Sequence, residues 1–391
     1  MPNNCDIFCN VIDNYGDIGV CWRLARQLAH EHGLAVRLWV DDLGNLAKLC
    51  PEADAAQHIQ RCRGIEVRHW IKPFPDVQPA ELVIEAFACK LPQGYIEAMA
   101  AQEVKPVWVN LEYLSAEDWV VGCHKLPSPH PSLPLTKYFF FPGFTKQTGG
   151  LLLERDLFMR RDVFQDDAAR QQAYWQALGM EMPSAETLRI SLFSYENDAL
   201  AGLFDAWVSG VQPVLCLVPE GRILPQVEQY FGNSAPHAGS SYARGKLQVR
   251  VLPFVEQERY DELLWVCDIN FVRGEDSCVR AQWAAKPFVW HIYPQHDGVH
   301  MQKLCAFMAR YCAGLQPEAA QALYGLWDAW NGEASPVPIG QAWNNFRTHR
   351  SMLRQRARCW AQELAENNLA LNLLDFFREI GRMRAFKNEG Q

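Results

Sequence analysis

Residues 7–40 read IFCNVIDNYGDIGVCWRLARQLAHEHGLAVRLWV. The apolar run 7–12 predicts a strand. A turn bearing two glycines follows, Asp13-Asn14-Tyr15-Gly16-Asp17-Ile18-Gly19. Over 20–32, Trp22, Leu24, Ala25 and Leu28 fall on one helical stripe, which predicts a helix. Gly33 stands where a glycine just past the last turn ends a helix, and 36–40 predicts a second strand. Strand, loop, helix, strand is the opening of a doubly wound α/β domain.

The pattern continues outward. Leu82–Ala86 and Val107–Leu111 predict strands with a helix over 94–102 between them. Residues 123–150 hold Pro127, Pro129, Pro131, Pro134 and Pro142 and predict a long ordered loop. A charged helical stretch over 154–179 leads to a hinge at Met182-Pro183-Ser184. A second α/β series then begins: strands at 188–194, 213–218, Leu247–Leu252, 269–272 and Phe288–His291, with helices at 198–209, 221–232, 260–266 and 277–284. Helices close the chain, including one over 361–377. The expected organisation is a Rossmann-like domain over 1–183, a second over 184–360, and a C-terminal helical segment, 361–391, packing back on the first.

With 391 residues, 49% hydrophobic and 21% charged, the chain has the composition of a folded protein of two or three domains. A formal charge of −8 argues against a general nucleic-acid binder. The cysteine count, 13, is odd, no C-x-x-C occurs, and most cysteines lie in apolar runs, so they read as reduced core residues. Neither a basic segment leading into an apolar leader nor a run of about 18 apolar residues is present, and the expected location is the cytoplasm.

Four segments can carry chemistry. The loop 13-DNYGDIG-19 follows the first strand, where open sheets bind ligands. It is neither G-x-G-x-x-G nor a phosphate loop with its lysine. Asp13 and Asp17 would repel a phosphate and suit a cationic or proton-donating substrate; alternatively Asp17 caps the helix and Asp13 forms the turn. In 273-RGEDS-277, Ser277 and the first helical N–H groups can bind a pyrophosphate, and Glu275 can accept from sugar hydroxyls; alternatively Asp276 or Ser277 is a cap. In 253-PFVEQ-257, Phe254 can stack on a nucleobase and Gln257 can read its edge, or Phe254 is core. In 193-FSYEN-197, Phe193 and Tyr195 share a face, for a ligand or for packing at a sheet edge. His291, Tyr293, His296 and His300 cluster, but 296-HDGVH-300 lacks the glutamate of a zinc helix. No G-x-S-x-G elbow occurs, and Asp41-Asp42 is adjacent rather than spaced as D-x-D.

DIFCNVIDNYGDIGVCWRLARQLAHEHGLAVRLWVDDL, LFSYEN, LPFVEQERYDELLWVCDINFVRGEDS and KPFVWHIYPQ, in this order, resemble the bacterial elongation factor P arginine rhamnosyltransferases. The resemblance covers nearly the whole chain. It implies a GT-B glycosyltransferase, α/β, with two Rossmann-like domains facing across a cleft. The C-terminal half would bind dTDP-β-L-rhamnose and the N-terminal half elongation factor P. The product would be an α-rhamnosyl arginine, formed with inversion, and the modified factor would relieve ribosome stalling at polyproline. Neither a metal nor a cofactor is implied. By the same resemblance Asp17 is the catalytic carboxylate, with Asp13 and Glu275 beside it. Tyr15, Gly16, Phe193, Tyr195, Phe254, Gln257, Arg273, Glu275, Asp276, Ser277 and Tyr293 line the donor site.

Two aspartates also make physical sense. A guanidinium has a pKa above about 12 and delocalised lone pairs, so it is a poor nucleophile. A carboxylate cannot deprotonate it beforehand, but two can grip it, aim one nitrogen, and take the proton late. Other readings consistent with the fold are a transferase or epimerase acting on a small molecule, and a non-catalytic nucleotide-sugar sensor. An NAD-dependent dehydrogenase is disfavoured by the missing dinucleotide fingerprint.

Overall fold

The computed structural model describes residues 2–12, 15–232, 236–294, 298–332 and 336–389. They form two compact units, Met1–Arg155 with Leu364–Gln391, and Asp156–Glu363.

The first unit runs β1 (Asn4–Cys9), α1 (Gly16–His32), β2 (Ala35–Val40), α2 (Leu43–Leu49), β3 (Ile59–Cys62), β4 (Ile65–His69), β5 (Leu82–Ala86), α3 (Gln93–Ala101), β6 (Val107–Leu111), α4 (Trp119–Cys123), β7 (Pro127–Pro129) and β8 (Thr136–Phe140). The sheet order is β3-β4-β2-β1-β5-β6-β8-β7. The six inner strands are parallel, and the edges β3 and β7 pair antiparallel. Every residue of β5 and β6 is buried, as expected for parallel strands covered on both faces.

Three local expectations change, the first being that the opening strand spans Asn4–Cys9 rather than 7–12. The first helix starts at Gly16, not residue 20, so Gly16, Asp17 and Gly19 lie in its first turn. The Gly19 N–H closes that turn on the Tyr15 carbonyl at 2.9 Å. The proline-rich stretch is not all loop, because Thr136–Phe140 is a strand beside β6. Its aromatic residues favour a pleated, half-buried surface, and Pro127 and Pro129 sit on the edge strand, where a missing N–H matters least.

The second unit runs α5 (Leu157–Asp166), α6 (Ala168–Ala177), β9 (Leu188–Leu192), α7 (Leu200–Val208), β10 (Val214–Pro219), α8 (Leu224–Phe231), β11 (Ser241–Arg244), β12 (Leu247–Leu252), α9 (Gln257–Val266), β13 (Ile269–Arg273), α10 (Asp276–Trp283), β14 (Phe288–His291), α11 (Val299–Cys312), α12 (Pro317–Asn331), α13 (Ile339–Thr348) and α14 (Arg350–Leu364). Its sheet order is β11-β12-β10-β9-β13-β14. Arg280 of α10 and Asp261 of α9 form a two-pronged pair at 2.7 and 2.6 Å with both side chains inaccessible.

The boundary between the units differs from the expected 183/184. Residues 156–183 go with the second unit because their helices bury aromatics against it. Phe164 packs on Trp265 at 5.8 Å, Phe158 meets Trp283 edge-on, and Arg161 donates to the Trp283 carbonyl at 2.8 Å.

The predicted helix 361–377 is also broken, between α14 and α15 (Leu369–Glu389). The Asn368 side chain accepts from the N–H groups of Ala370 and Leu371 and so starts a new helix. The segment from Leu364 onward belongs to the first unit: Phe376 packs against Tyr138 and Phe140. Its entry is a short two-way clasp, in which the Leu151 N–H donates to the Asn367 carbonyl and the Leu369 N–H to the Leu151 carbonyl. Gly150, at φ +79°, makes the close approach possible, since a Cβ there would collide with the Asn367 carbonyl. Gly150→Ala should cost at least the roughly 1–3 kcal/mol of left-handed strain and loosen residues 364–389. Limited proteolysis and a denaturant melt check this; an unshifted melt with an intact C-terminus would show that the clasp is dispensable.

Candidate active site

In an open parallel sheet, ligands bind beyond the carboxyl ends of the strands where strand order reverses. In the first unit the reversal lies between β1 and β5. The segment leaving β1 is held by two carboxylates. Asp41, just past β2, accepts from the Val11 N–H at 2.9 Å and from Asn10 Nδ2. Asp17 accepts from the Ile12 N–H at 2.8 Å and is only 3% exposed. It therefore reaches back from the first turn of α1, and the capping position is held by Tyr15. Lys48 donates to the Tyr15 hydroxyl at 3.1 Å and lies over its ring. Gly16 is the first helical residue. Asp13 lies outside the described residues. Asp42 accepts from the Asn45 N–H at 3.1 Å and caps α2.

In the second unit the reversal lies between β9 and β13, and the segments leaving these strands are 193-FSYEN-197 and 273-RGEDS-277. Arg273, at the end of β13, is 6% exposed. Its guanidinium carbon lies 4.6 Å from the ring centroids of both Phe193 and Tyr195. The shared face of those rings is thus applied to a cation, an interaction of roughly 0.5–2 kcal/mol per ring. Tyr195 also meets His291 and Tyr293 edge-on, at 5.3 and 5.5 Å.

The turn 273–277 closes on itself. The Ser277 hydroxyl accepts from the Arg273 N–H at 3.2 Å and donates to the Arg273 carbonyl. Glu275 occupies the capping position of α10 without a side-chain cap bond, and Asp276 begins the helix. Gln257, buried at the start of α9, donates from Nε2 to Asp276 Oδ2 at 3.4 Å. Phe254 is half-buried rather than core, and its N–H donates to Glu220 Oε2 at 3.3 Å. Arg273, Phe193, Tyr195, Tyr293, Gln257, Asp276 and Ser277 therefore form one connected cluster, with Glu275 inside its turn. Phe254 is tied to it in sequence through the start of α9.

Sequence reading missed Asp41 and Glu220, whose carboxylates hold the loops that carry the candidate residues. Asp41 was visible only as half of an adjacent acidic pair, and Glu220 carried no local signal. Among the described residues no group of three or more His, Cys, Asp or Glu is arranged to hold a metal ion; His296 lies outside them. All 13 cysteines are free; burial pushes the Cys216, Cys267 and Cys278 thiols up, and the hydrogen bond with Cys21, then burial, does the same for Cys9, all away from thiolate chemistry.

His291 bonds through Nδ1 to the Ser194 hydroxyl at 2.7 Å. Burial first, and then the charge of Arg273, push its pKa down to about 3. The unfolded chain takes up this proton on acidification and the folded one does not, so stability falls as the pH drops from about 6.5 toward 3. The His291 ring resonances should stay flat between about pH 8 and pH 5; a titration in that range would mean the ring is solvated or paired with an anion.

The family described as Elongation-Factor P (EF-P) rhamnosyltransferase EarP matches residues 5–378. The protein-arginine rhamnosyltransferase of Pseudomonas putida KT2440 is 54% identical over 380 residues, 97% of this chain and 99% of that one. Its counterpart in Neisseria meningitidis H44/76 is 37% identical over 371 residues, covering 93% and 94%. A solved structure described as the structural basis for EarP-mediated arginine glycosylation of translation elongation factor EF-P superposes with a TM-score of 0.69 at 41% identity, over 96% of this chain and 98% of that one. TcCGT1 in complex with UDP, at 10% identity and a TM-score of 0.53 over 98% and 100%, shares the fold alone. The architecture is that of GT-B glycosyltransferases. Identity at this level across nearly the full length makes the chain a member of the EarP family of arginine rhamnosyltransferases.

Proposed function

We propose that this chain transfers L-rhamnose from dTDP-β-L-rhamnose to an arginine of elongation factor P, inverting the anomeric carbon and so equipping the factor to relieve stalling at polyproline. One observation carries the reading: the acidic segment after β1, and the FSYEN and RGEDS segments after β9 and β13, leave their sheets at the points where strand order reverses. The acidic segment is in the first unit, and the segments suited to a nucleotide sugar are in the second. The family membership supports the same acceptor and sugar.

In this reading Asp17, with Asp13, grips the acceptor guanidinium through charge-assisted hydrogen bonds and aims one nitrogen at the anomeric carbon. The Ile12 N–H bond to Asp17 Oδ2 supports the role by fixing the carboxylate's orientation. As the carbon–nitrogen bond forms, the bond to the nucleotide breaks and its electron pair leaves with the diphosphate. Positive charge grows on the guanidinium, and Asp17 takes the released proton.

The leaving diphosphate is stabilised by the first N–H groups of α10 and by Arg273. Glu275, beside that helix start, stabilises the sugar as positive charge builds at its ring, and with Asp276 and Ser277 contacts it. Phe254 stacks on the thymine and Gln257 reads it. Phe193, Tyr195 and Tyr293 wall the donor site, and Tyr15 and Gly16 are assigned donor contacts as well.

Incubation of elongation factor P with enzyme and dTDP-rhamnose should add one deoxyhexose, read by intact mass. Asp17→Asn should abolish this while leaving dTDP affinity near wild type. A parallel loss of dTDP affinity would remove Asp17 from the acceptor side, and no mass gain with wild type would remove the proposed acceptor or donor. Phe254→Ala should weaken dTDP binding by about 1–3 kcal/mol, the worth of a base–aromatic stack; an unchanged dissociation constant in calorimetry would assign Phe254 to packing.

A further inference from the structure

Strands β1 and β2 run parallel with Cys9 opposite Val40. One residue further, Asn10 and Asp41 stand side by side where the backbone ladder stops. There the Asp41 side chain takes over. Its Oδ1 accepts from the Val11 N–H at 2.9 Å, and its Oδ2 accepts from Asn10 Nδ2. The next amide, that of Ile12, donates to Asp17 Oδ2 at 2.8 Å. The holds on Asp41 and Asp17 thus fall on adjacent peptide units joined at the Val11 Cα, and each unit is planar and stiff.

Asp41 is itself braced from β4. The Trp70 N–H donates to the Val40 carbonyl at 2.7 Å, and His69 Nε2 bonds to the Asp41 carbonyl at 3.1 Å. A carbonyl only accepts, so Nε2 of His69 carries a hydrogen. In the neutral ring Nδ1 then receives one from His58 Nδ1, 2.9 Å away in a stacked pair.

We propose that Asp41 is a positioning residue for Asp17, acting through the backbone of residues 10–12, with His69 and His58 holding Asp41 in place. The inference rests on the reading of Asp17 as the catalytic carboxylate. Without the Asp41 carboxylate, Val11 and Asn10 lose their shared acceptor, the segment relaxes, and the Ile12 N–H no longer aims Asp17. A displacement of about 1 Å at a reacting group costs on the order of 10²-fold in rate.

The test compares Asp41→Ala, Asp41→Asn and Asn10→Ala with wild type in three measurements. These are turnover on elongation factor P, dTDP affinity by calorimetry, and amide exchange at residues 10–12 and 15–17. Asp41→Ala should lower kcat by roughly 10- to 100-fold. Its dTDP dissociation constant should stay within about twofold, because Phe254 and Gln257, the residues assigned to the base, lie in the second unit. Exchange at residues 10–12 and 15–17 should quicken by about tenfold or more. Asp41→Asn keeps an acceptor for Val11 and can face its amide toward the oxygen of a flipped Asn10, so it should recover most of both losses.

Unchanged kcat and exchange in Asp41→Ala would overturn the proposal. So would a loss of dTDP affinity in step with kcat, which a general structural defect would cause. If Asp41→Ala does not fold, Asn10→Ala, which removes half of the clasp, decides by the same measures: smaller losses of the same kind support the proposal, and none overturns it. If wild type adds no deoxyhexose, the proposed activity fails, while the exchange data still report whether Asp41 holds the segment.

Discussion

A parallel sheet whose strand order reverses cannot send both central connections to the same side. Each crossover is right-handed, so the segments leaving the two neighbouring strands part and leave room beyond the strand ends. This molecule uses the constraint twice, between β1 and β5 and between β9 and β13. Every candidate residue within the described chain lies on a segment leaving β1, β9 or β13 at these two partings, or just after β12 or β14 of the second sheet. The strands beneath are buried on both faces, which makes the platform stiff and the loops above it the place for variation.

Carboxylates stabilise much of what the backbone ladder leaves unpaired. Asp17 and Asp41 satisfy amides after β1, and Glu220 satisfies those of Phe254 and Ala238 after β12 and β11's approach. At the opposite end of β1, Asp6 pairs with Arg37 at 2.6 Å through both guanidinium arms and accepts from the Ala80 N–H. Inside the second unit, Asp261 and Arg280 are paired with almost no access to water. Removing one partner of such a pair leaves a buried charge and costs about 3–5 kcal/mol. Asp17, Asp41 and Glu220 act on geometry by fixing the backbone of the segments that leave the sheets, and the Asp261–Arg280 pair ties α9 to α10.

The second unit's cluster shows how one cation can organise aromatics that a sequence presents only as alternating residues. Arg273 ends β13 and lies against Phe193 and Tyr195 from β9's loop. Ser277 returns to the Arg273 backbone and locks the turn from which the guanidinium projects. The low pKa of His291 follows from the same arrangement, since a second cation beside Arg273 in a dry site would be costly.

The sequence alone supplied the strand–loop–helix–strand opening, the alternation of elements in both halves, the four chemistry-bearing segments and the family resemblance. These depend on residues within a few positions of one another: apolar period, a glycine at a helix end, a motif's spacing. Tertiary structure decided what depends on distant partners. Gly16 to Gly19 became the first turn of α1, and from it Asp17 accepts from the Ile12 N–H. Residues 156–183 joined the second unit because Phe158 and Phe164 found Trp283 and Trp265. Thr136–Phe140 became a strand because β6 offered an edge. Asp41 acquired its place because β2 runs in register with β1 some thirty residues away. Local periodicity records which face a side chain turns inward, but it carries no record of which distant backbone group that side chain will meet.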